Sequence, residues 1–213
     1  MVEAILWDND GVLVDTEGLF YQATRLALAR AEVDLTPELY LDYAMRRGRS
    51  TLELVAAQGW SPEQVDALRD ARNVMYSNLL RTESSIFPNV LPVLQSFSQR
   101  IRMAVVTSSR REHVEIAHQR NGLLGFFEFI LAWEDYQYSK PHPEPYLMAL
   151  RRLGLSADRC VVIEDSERGL ASALAAGLRC FVVPNQLTQD CVFQGATAIV
   201  PNLAALPELV AGL

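Results

Sequence analysis

Cysteine and histidine are scarce in this sequence, at three residues each in 213. Cys160, Cys180 and Cys191 show no C-x-x-C spacing, which argues against a zinc site or a disulfide framework and leaves packing thiols. His113 and His118 stand five apart on a helical stretch, off the four-residue spacing of a zinc pair, so they are expected on the surface. His142, between prolines, is expected to be structural. No apolar run approaches the roughly 20 residues of a membrane span, and no leader-like pattern opens the chain. Positive charge is also in deficit. The formal net charge of −7 argues against a nucleic-acid or anionic-membrane partner. There is no Walker loop, no G-x-G-x-x-G and no G-x-S-x-G, which removes the common nucleotide-binding and serine-hydrolase readings. Internal repeats and low-complexity segments are absent too. The expectation is a cytoplasmic, monomeric protein that handles a small molecule.

What is present points to an α/β fold. Half of the residues, 50%, are hydrophobic, enough for a sizeable core. Residues 4–7, 103–107, 129–132, 160–164, 180–183 and 198–200 are short apolar runs without alternation, as strands covered on both faces should be. Helical spacing lies between them at 112–120, 143–153 and 168–176, with Gly154 and Gly177 placed as C-terminal caps. This order predicts a Rossmann-like parallel sheet with helices on both faces. Residues 17–83 carry no strand signal. Thr36-Pro37-Glu38 and Ser61-Pro62-Glu63-Gln64 open helices there, and Asp15 and Thr16 are expected to cap the first one. The predicted organisation is a core of 1–16 and 84–213 with an all-helical insert, 17–83, after the first strand. Tyr40, Tyr43, Trp60 and Met75 are expected in the core of that insert.

Ligands of open α/β sheets bind outside the carboxyl ends of the strands. The first strand ends in Asp8-Asn9-Asp10-Gly11, the second in Thr107-Ser108-Ser109 and the fourth in Glu164-Asp165-Ser166, while Ser139-Lys140-Pro141 lies before the fourth. Residues two apart on an extended chain point the same way, so Asp8 and Asp10 share a side and Asn9 faces away. Four carboxylates in one small volume call for a cation, and all-oxygen ligands favour Mg2+ over zinc or copper. Lys140 adds a positive charge. An aspartate is ionised at neutral pH and can attack phosphorus without an activating base. A second carboxylate nearby can protonate the leaving alcohol and then deprotonate water.

In order and type, Asp8-Asn9-Asp10-Gly11-Val12, Thr107 after Ala104-Val105-Val106, Lys140-Pro141 and Glu164-Asp165 resemble the four motifs of the haloacid dehalogenase superfamily. The helical insert resembles the cap domain of its β-phosphoglucomutase-like branch. The resemblance implies an enzyme, a Mg2+-dependent phosphatase of small metabolites such as sugar or polyol phosphates. It implies that Asp8 is the nucleophile and a metal ligand, and that Asp10 is the general acid/base with its backbone carbonyl on the metal. Thr107 and Lys140 would bind the phosphoryl group, Lys140 also steadying the nucleophile, with Ser108, Ser109 and Arg110 nearby. Asp165 would bind Mg2+, with Glu164 beside it. Arg46, Arg47 and Arg49, around Gly48, form either a cationic helix end or a substrate loop. Cap closure would bend the chain near 15–18 and 82–87.

Two departures bear on the reaction. The mutases of this branch carry a histidine shortly after the first motif, and the stretch 16–21 has none. That favours a hydrolase over a phosphomutase. Asp10 is absent from the dehalogenases that named the superfamily, so dehalogenation is disfavoured. Asn89 stands where relatives often have glycine and is expected to take the same left-handed turn. A non-catalytic receiver-like module is the alternative from another class, and the insert after the first strand counts against it.

Overall fold

The computed structural model describes the backbone of all 213 residues and every side chain except those of Met45 and Arg46. The expectation for Arg46 thus falls outside the described side chains. The chain runs β1 (Ala4–Trp7), β2 (Val14–Asp15), then the helices α1 (Glu17–Ala29), α2 (Pro37–Tyr40), α3 (Glu53–Ala56) and α4 (Pro62–Glu83). It continues β3 (Ser85–Ile86), α5 (Val90–Phe97), β4 (Arg102–Val106), α6 (Arg111–Asn121), β5 (Ile130–Leu131) and α7 (Glu144–Leu153). It ends β6 (Cys160–Glu164), α8 (Glu167–Ala175), β7 (Arg179–Val182), β8 (Ala198–Ile199) and α9 (Leu206–Ala211). Two compact units result: Met1–Asp15 with Ser85–Leu213, and Thr16–Ser84.

The first unit is a parallel sheet of order β5-β4-β1-β6-β7-β8. Its central strands are apolar throughout because both faces are covered. On one face Ala4, Leu6, Ala104, Val106, Val162 and Val182 pack with Tyr146 and Leu150 of α7 and Leu170 and Ala173 of α8. On the other, Ile5, Trp7, Val105 and Ile163 are buried, and the Trp7 ring meets Phe97 of α5 at 6.3 Å. Strand β1 sits between β4 and β6, so its end is flanked by both neighbours' ends. The pair β2–β3, antiparallel with Val14 opposite Ile86, ties together the two points where the chain leaves and re-enters this unit. Asn89 takes φ 69°, the left-handed turn expected of it.

Within the second unit, Ala27, Leu28, Leu35, Tyr40, Leu52 and Val55 form a buried core, with Trp60 and Met75 packed against it. Ser61 and Gln64 close a reciprocal capping box on α4, and the Thr36 side chain accepts from the Leu39 amide. Thr16 stands at the N-cap of α1 but makes no capping hydrogen bond with its side chain. Its ψ of −11° is far from the extended value that aims a capping oxygen at the first turn.

The two helical histidines depart from the expectation of surface positions. His113 and His118 are both buried, in a stripe with Val114 and Ala117 on the inner side of α6. Their mutual spacing gives no face, but these four positions follow the 3.6-residue period together. Among the described residues no helix is long and apolar enough to cross a membrane.

Candidate active site

The carboxyl end of β1 delivers Asp8, whose amide continues the ladder by donating to the Ile163 carbonyl at 2.9 Å. Gly11, at φ +88°, then reverses the chain, and its amide donates to the Val14 carbonyl at 3.0 Å. A Cβ at Gly11 would lie 2.2 Å from Asp165 Oδ2, so the turn and the approach of Asp165 both require glycine.

Lys140 is the cation of the site. Its buried ammonium donates to Asp8 Oδ1 (2.8 Å), Glu164 Oε1 (2.6 Å) and the Val106 carbonyl (2.8 Å). An ammonium has three donors, and each has an acceptor. Burial disfavours the Lys140 charge, but Asp8 and Glu164 outweigh it and hold the ammonium well above its ordinary pKa.

Glu164 is fully buried at the end of β6, on the sheet face that α7 and α8 cover. Its Oε1 also accepts from Tyr146 (2.6 Å), and Oε2 accepts from Ser166 Oγ (3.2 Å) and the Asp165 amide (3.3 Å). Ser166 in turn caps α8 by accepting from the Gly169 amide at 3.1 Å. Asp165 is held by Asn185, whose Nδ2 donates to Asp165 Oδ2 (2.8 Å) and to the Gly11 carbonyl (3.2 Å).

Asp8, Glu164 and Asp165 each place a carboxylate oxygen within 4.8 Å of the others. Burial, then repulsion from Glu164, pushes Asp8 up to about 7 against the pull of Lys140. Burial and the charges of Asp8 and Glu164 push Asp165 well up too. One lysine therefore does not neutralise the cluster. A hard cation would, and the all-oxygen donor set fits one.

Asp10 is held on its Oδ2 by donors from Ser109 Oγ (2.7 Å), Asn9 Nδ2 (3.1 Å) and Thr107 Oγ1 (3.3 Å). The Ser109 amide donates back to Thr107 Oγ1 at 3.0 Å, folding the end of β4 into a tight turn. Thr107 is thus not the cap of α6, whose N-cap position is Arg110. The Ser108 hydroxyl accepts from Ser139 at 2.9 Å.

Residues 5–183 match the family described as haloacid dehalogenase-like hydrolase. The chain belongs to that family. It is 30% identical over 224 residues to the protein CbbY of Rhodobacter capsulatus, covering 98% of this chain and 99% of that one. It is 29% identical over 206 residues to a phosphorylated carbohydrates phosphatase of Thermotoga maritima, covering 93% and 94% respectively. It resembles a variant of CbbY from Rhodobacter sphaeroides solved with xylulose-(1,5)bisphosphate, at a TM-score of 0.86 and 29% identity, over 97% of this chain and 96% of that one. Within the haloacid dehalogenase-like hydrolases this chain falls in the β-phosphoglucomutase-like branch, and it is a phosphatase.

In this haloacid dehalogenase-like hydrolase, Asp8, Asp10, Thr107, Lys140, Glu164 and Asp165 meet at the ends of β1, β4 and β6. Arg110 is 3.5 Å from Glu134 in an ion pair. Arg49 belongs to the other unit, where it pairs with Glu53 and lies over the Tyr43 ring. Arg47 pairs with Asp42 at 2.8 Å. Sequence reasoning missed Asn9, His118, Tyr146 and Asn185. Asn9 carried a usable signal, since a polar residue facing into a core requires a partner. Tyr146 and Asn185 carried none, because a lone tyrosine or asparagine is common in helices and loops.

Gly169 provides a test of how tightly Glu164 is held. Alanine normally stabilises a helix by about 1 kcal/mol over glycine. Here an added Cβ would lie 1.9 Å from the Glu164 carboxyl carbon. Gly169→Ala is therefore expected to lower stability by about 1–3 kcal/mol, read as a lower urea midpoint at unchanged slope. A midpoint above wild type would show that the carboxylate has room.

Proposed function

We propose that this phosphatase is Mg2+-dependent, hydrolyses a small phosphorylated sugar or polyol, and works through an aspartyl-phosphate at Asp8. The observation that carries the reading is the Asp8 carboxylate, with Oδ1 fixed by Lys140 and with Glu164 and Asp165 crowded beside it. Asp8 and Asp165 would hold the metal, with the Asp10 carbonyl. Glu164, whose two oxygens already accept from Lys140, Tyr146, Ser166 and the Asp165 amide, braces the lysine from behind. When bound, Mg2+ supplies Lewis-acid stabilisation of the phosphoryl oxygens.

In the first step an Asp8 oxygen bonds to phosphorus as the ester P–O bond breaks. Asp10, as the acid, gives its proton to the departing oxygen. In the second step Asp10, now a carboxylate, takes a proton from water as the water oxygen attacks phosphorus. The Asp8–phosphorus bond breaks, releasing phosphate and restoring both groups. Lys140 and the Thr107-Ser108-Ser109 turn face the phosphoryl oxygens and spread their charge. Arg110 and Arg49 are each engaged by an acidic neighbour, and the reading needs neither.

The sugar assignment is supported by what similar proteins are described as binding: xylulose bisphosphate for the CbbY variant, and phosphorylated carbohydrates for the Thermotoga enzyme. The test is phosphate release from a panel of sugar, polyol and nucleoside phosphates, with Mg2+ and with EDTA. Release from sugar or polyol phosphates that EDTA abolishes and Mg2+ restores is the expected result. Release that persists in EDTA would remove the metal from the reading. Release confined to nucleotides would remove the sugar.

A further inference from the structure

Asn9 and His118 enter no step of that reaction, yet both are almost wholly buried and they face Asp10 in series. Asn9 Nδ2 donates to Asp10 Oδ2 at 3.1 Å. Asn9 Oδ1 lies 2.7 Å from His118 Nε2, across 109 residues of sequence. The direction of both bonds is forced. In its carboxylate form Asp10 only accepts, so the amide nitrogen faces it. The amide oxygen then faces the imidazole, so Nε2 carries the proton and donates.

Burial pushes His118 down to about 4, so the ring is neutral at assay pH and its one N–H is committed to Asn9. Its Nδ1 is buried with no partner among the described residues. An unsatisfied buried acceptor costs about 1–3 kcal/mol. Leucine would fill the place without that cost, so packing alone does not account for the histidine.

The donors on Asp10 differ in kind. Thr107 and Ser109 offer rotating hydroxyls that an arriving phosphoryl group can draw away. Asn9 offers a planar amide anchored from behind, and it stays. We infer that Asn9 and His118 are positioning residues that hold the Asp10 carboxylate in place for proton transfer. The inference rests on the reading of Asp10 as general acid/base.

The experiment compares wild type with Asn9→Leu, His118→Leu, His118→Gln, the double Asn9→Leu/His118→Leu and Asp10→Asn as reference. Each is assayed on a polyol phosphate and on p-nitrophenyl phosphate. Values of kcat/KM report transfer to Asp8, the step in which the leaving group departs. A polyol alkoxide needs a proton to leave and p-nitrophenolate does not. Asp10→Asn should cut kcat/KM for the polyol phosphate by about 10²–10⁴ and that for the aryl ester by much less. His118→Leu and Asn9→Leu should cut the polyol value about tenfold, with the aryl value within about twofold. His118→Gln, whose amide can still donate to Asn9, should recover most of the loss.

The double variant replaces both buried partners with apolar groups and is expected to melt near wild type. It should still show the selective loss, which separates positioning from folding. A well-folded double variant with the wild-type ratio of polyol to aryl turnover, while Asp10→Asn shifts that ratio, would overturn the inference and leave Asp10 as the acid. An unchanged ratio in Asp10→Asn itself would overturn the general-acid reading and the inference with it.

Discussion

Asp8→Asn is expected to reduce phosphate release by about 10⁴-fold or more while leaving the fold intact. An amide is a poor nucleophile toward phosphorus, and removal of an essential nucleophile leaves only the residual effect of binding and electrostatics. The structural cost should have the opposite sign. Asp8 is raised to about 7 by burial and by Glu164, so above that pH the wild-type fold carries a charge its surroundings resist. Asparagine keeps the shape and an oxygen for the Lys140 ammonium without that charge. Without divalent metal at pH 8, Asp8→Asn should therefore melt at or above wild type. Activity within about tenfold of wild type on the best panel substrate would exclude Asp8 as the covalent centre.

Removing the cation of the cluster should have the largest effect on stability. Lys140→Met keeps the length of the side chain and deletes the ammonium shared by Asp8 and Glu164. Breaking a buried ion pair by taking away one partner costs about 3–5 kcal/mol, because the other charges remain buried and unpaired. For a protein of this size that is a fall of about 10 °C in Tm.

The loss should depend on pH with a definite sign. Asp8 and Asp165 already have folded-state values raised above those of the unfolded chain, and losing Lys140 raises them further. A carboxylate with a raised folded value binds more protons when folded than when unfolded, so the variant loses stability as pH climbs from about 4 and on through neutrality. Differential scanning at pH 5 and pH 8, each with EDTA and with Mg2+, reads both effects. The variant should be worst at pH 8 in EDTA and partly restored by Mg2+. A Tm at pH 8 in EDTA within two or three degrees of wild type, on the same conversion, would show that the carboxylates do not depend on Lys140.

Which parts of this were legible in the sequence follows from the range over which each signal acts. Strand β6 was read to the residue and β1 likewise, because an unbroken apolar run is a local pattern that burial on both faces imposes. The capping box at Ser61 and the left-handed turn at Asn89 were equally local. Asp8, Asp10, Glu164 and Asp165 were legible as site candidates because parallel strands end on one edge of their sheet, where a carboxylate without a partner is costly.

Pairings that span the chain were not legible in the local pattern, although the resemblance implied that Lys140 steadies Asp8. Lys140 meets Asp8 across 132 residues and His118 meets Asn9 across 109. Nothing in either local sequence names its partner, since the strand order β5-β4-β1-β6 and the helices packed on it bring them together. The same packing turned His118 inward, against the expectation from its spacing alone. It also aimed Glu164 at Lys140 and Tyr146 and left room at Gly169 for that carboxylate and nothing more. By itself the sequence determined the sheet, the helical insert and the residue types gathered at the strand ends, because periodicity and turn chemistry act over a few residues. Only the tertiary structure decided which carboxylate meets which donor, because such contacts depend on distances set by the packing of the whole unit.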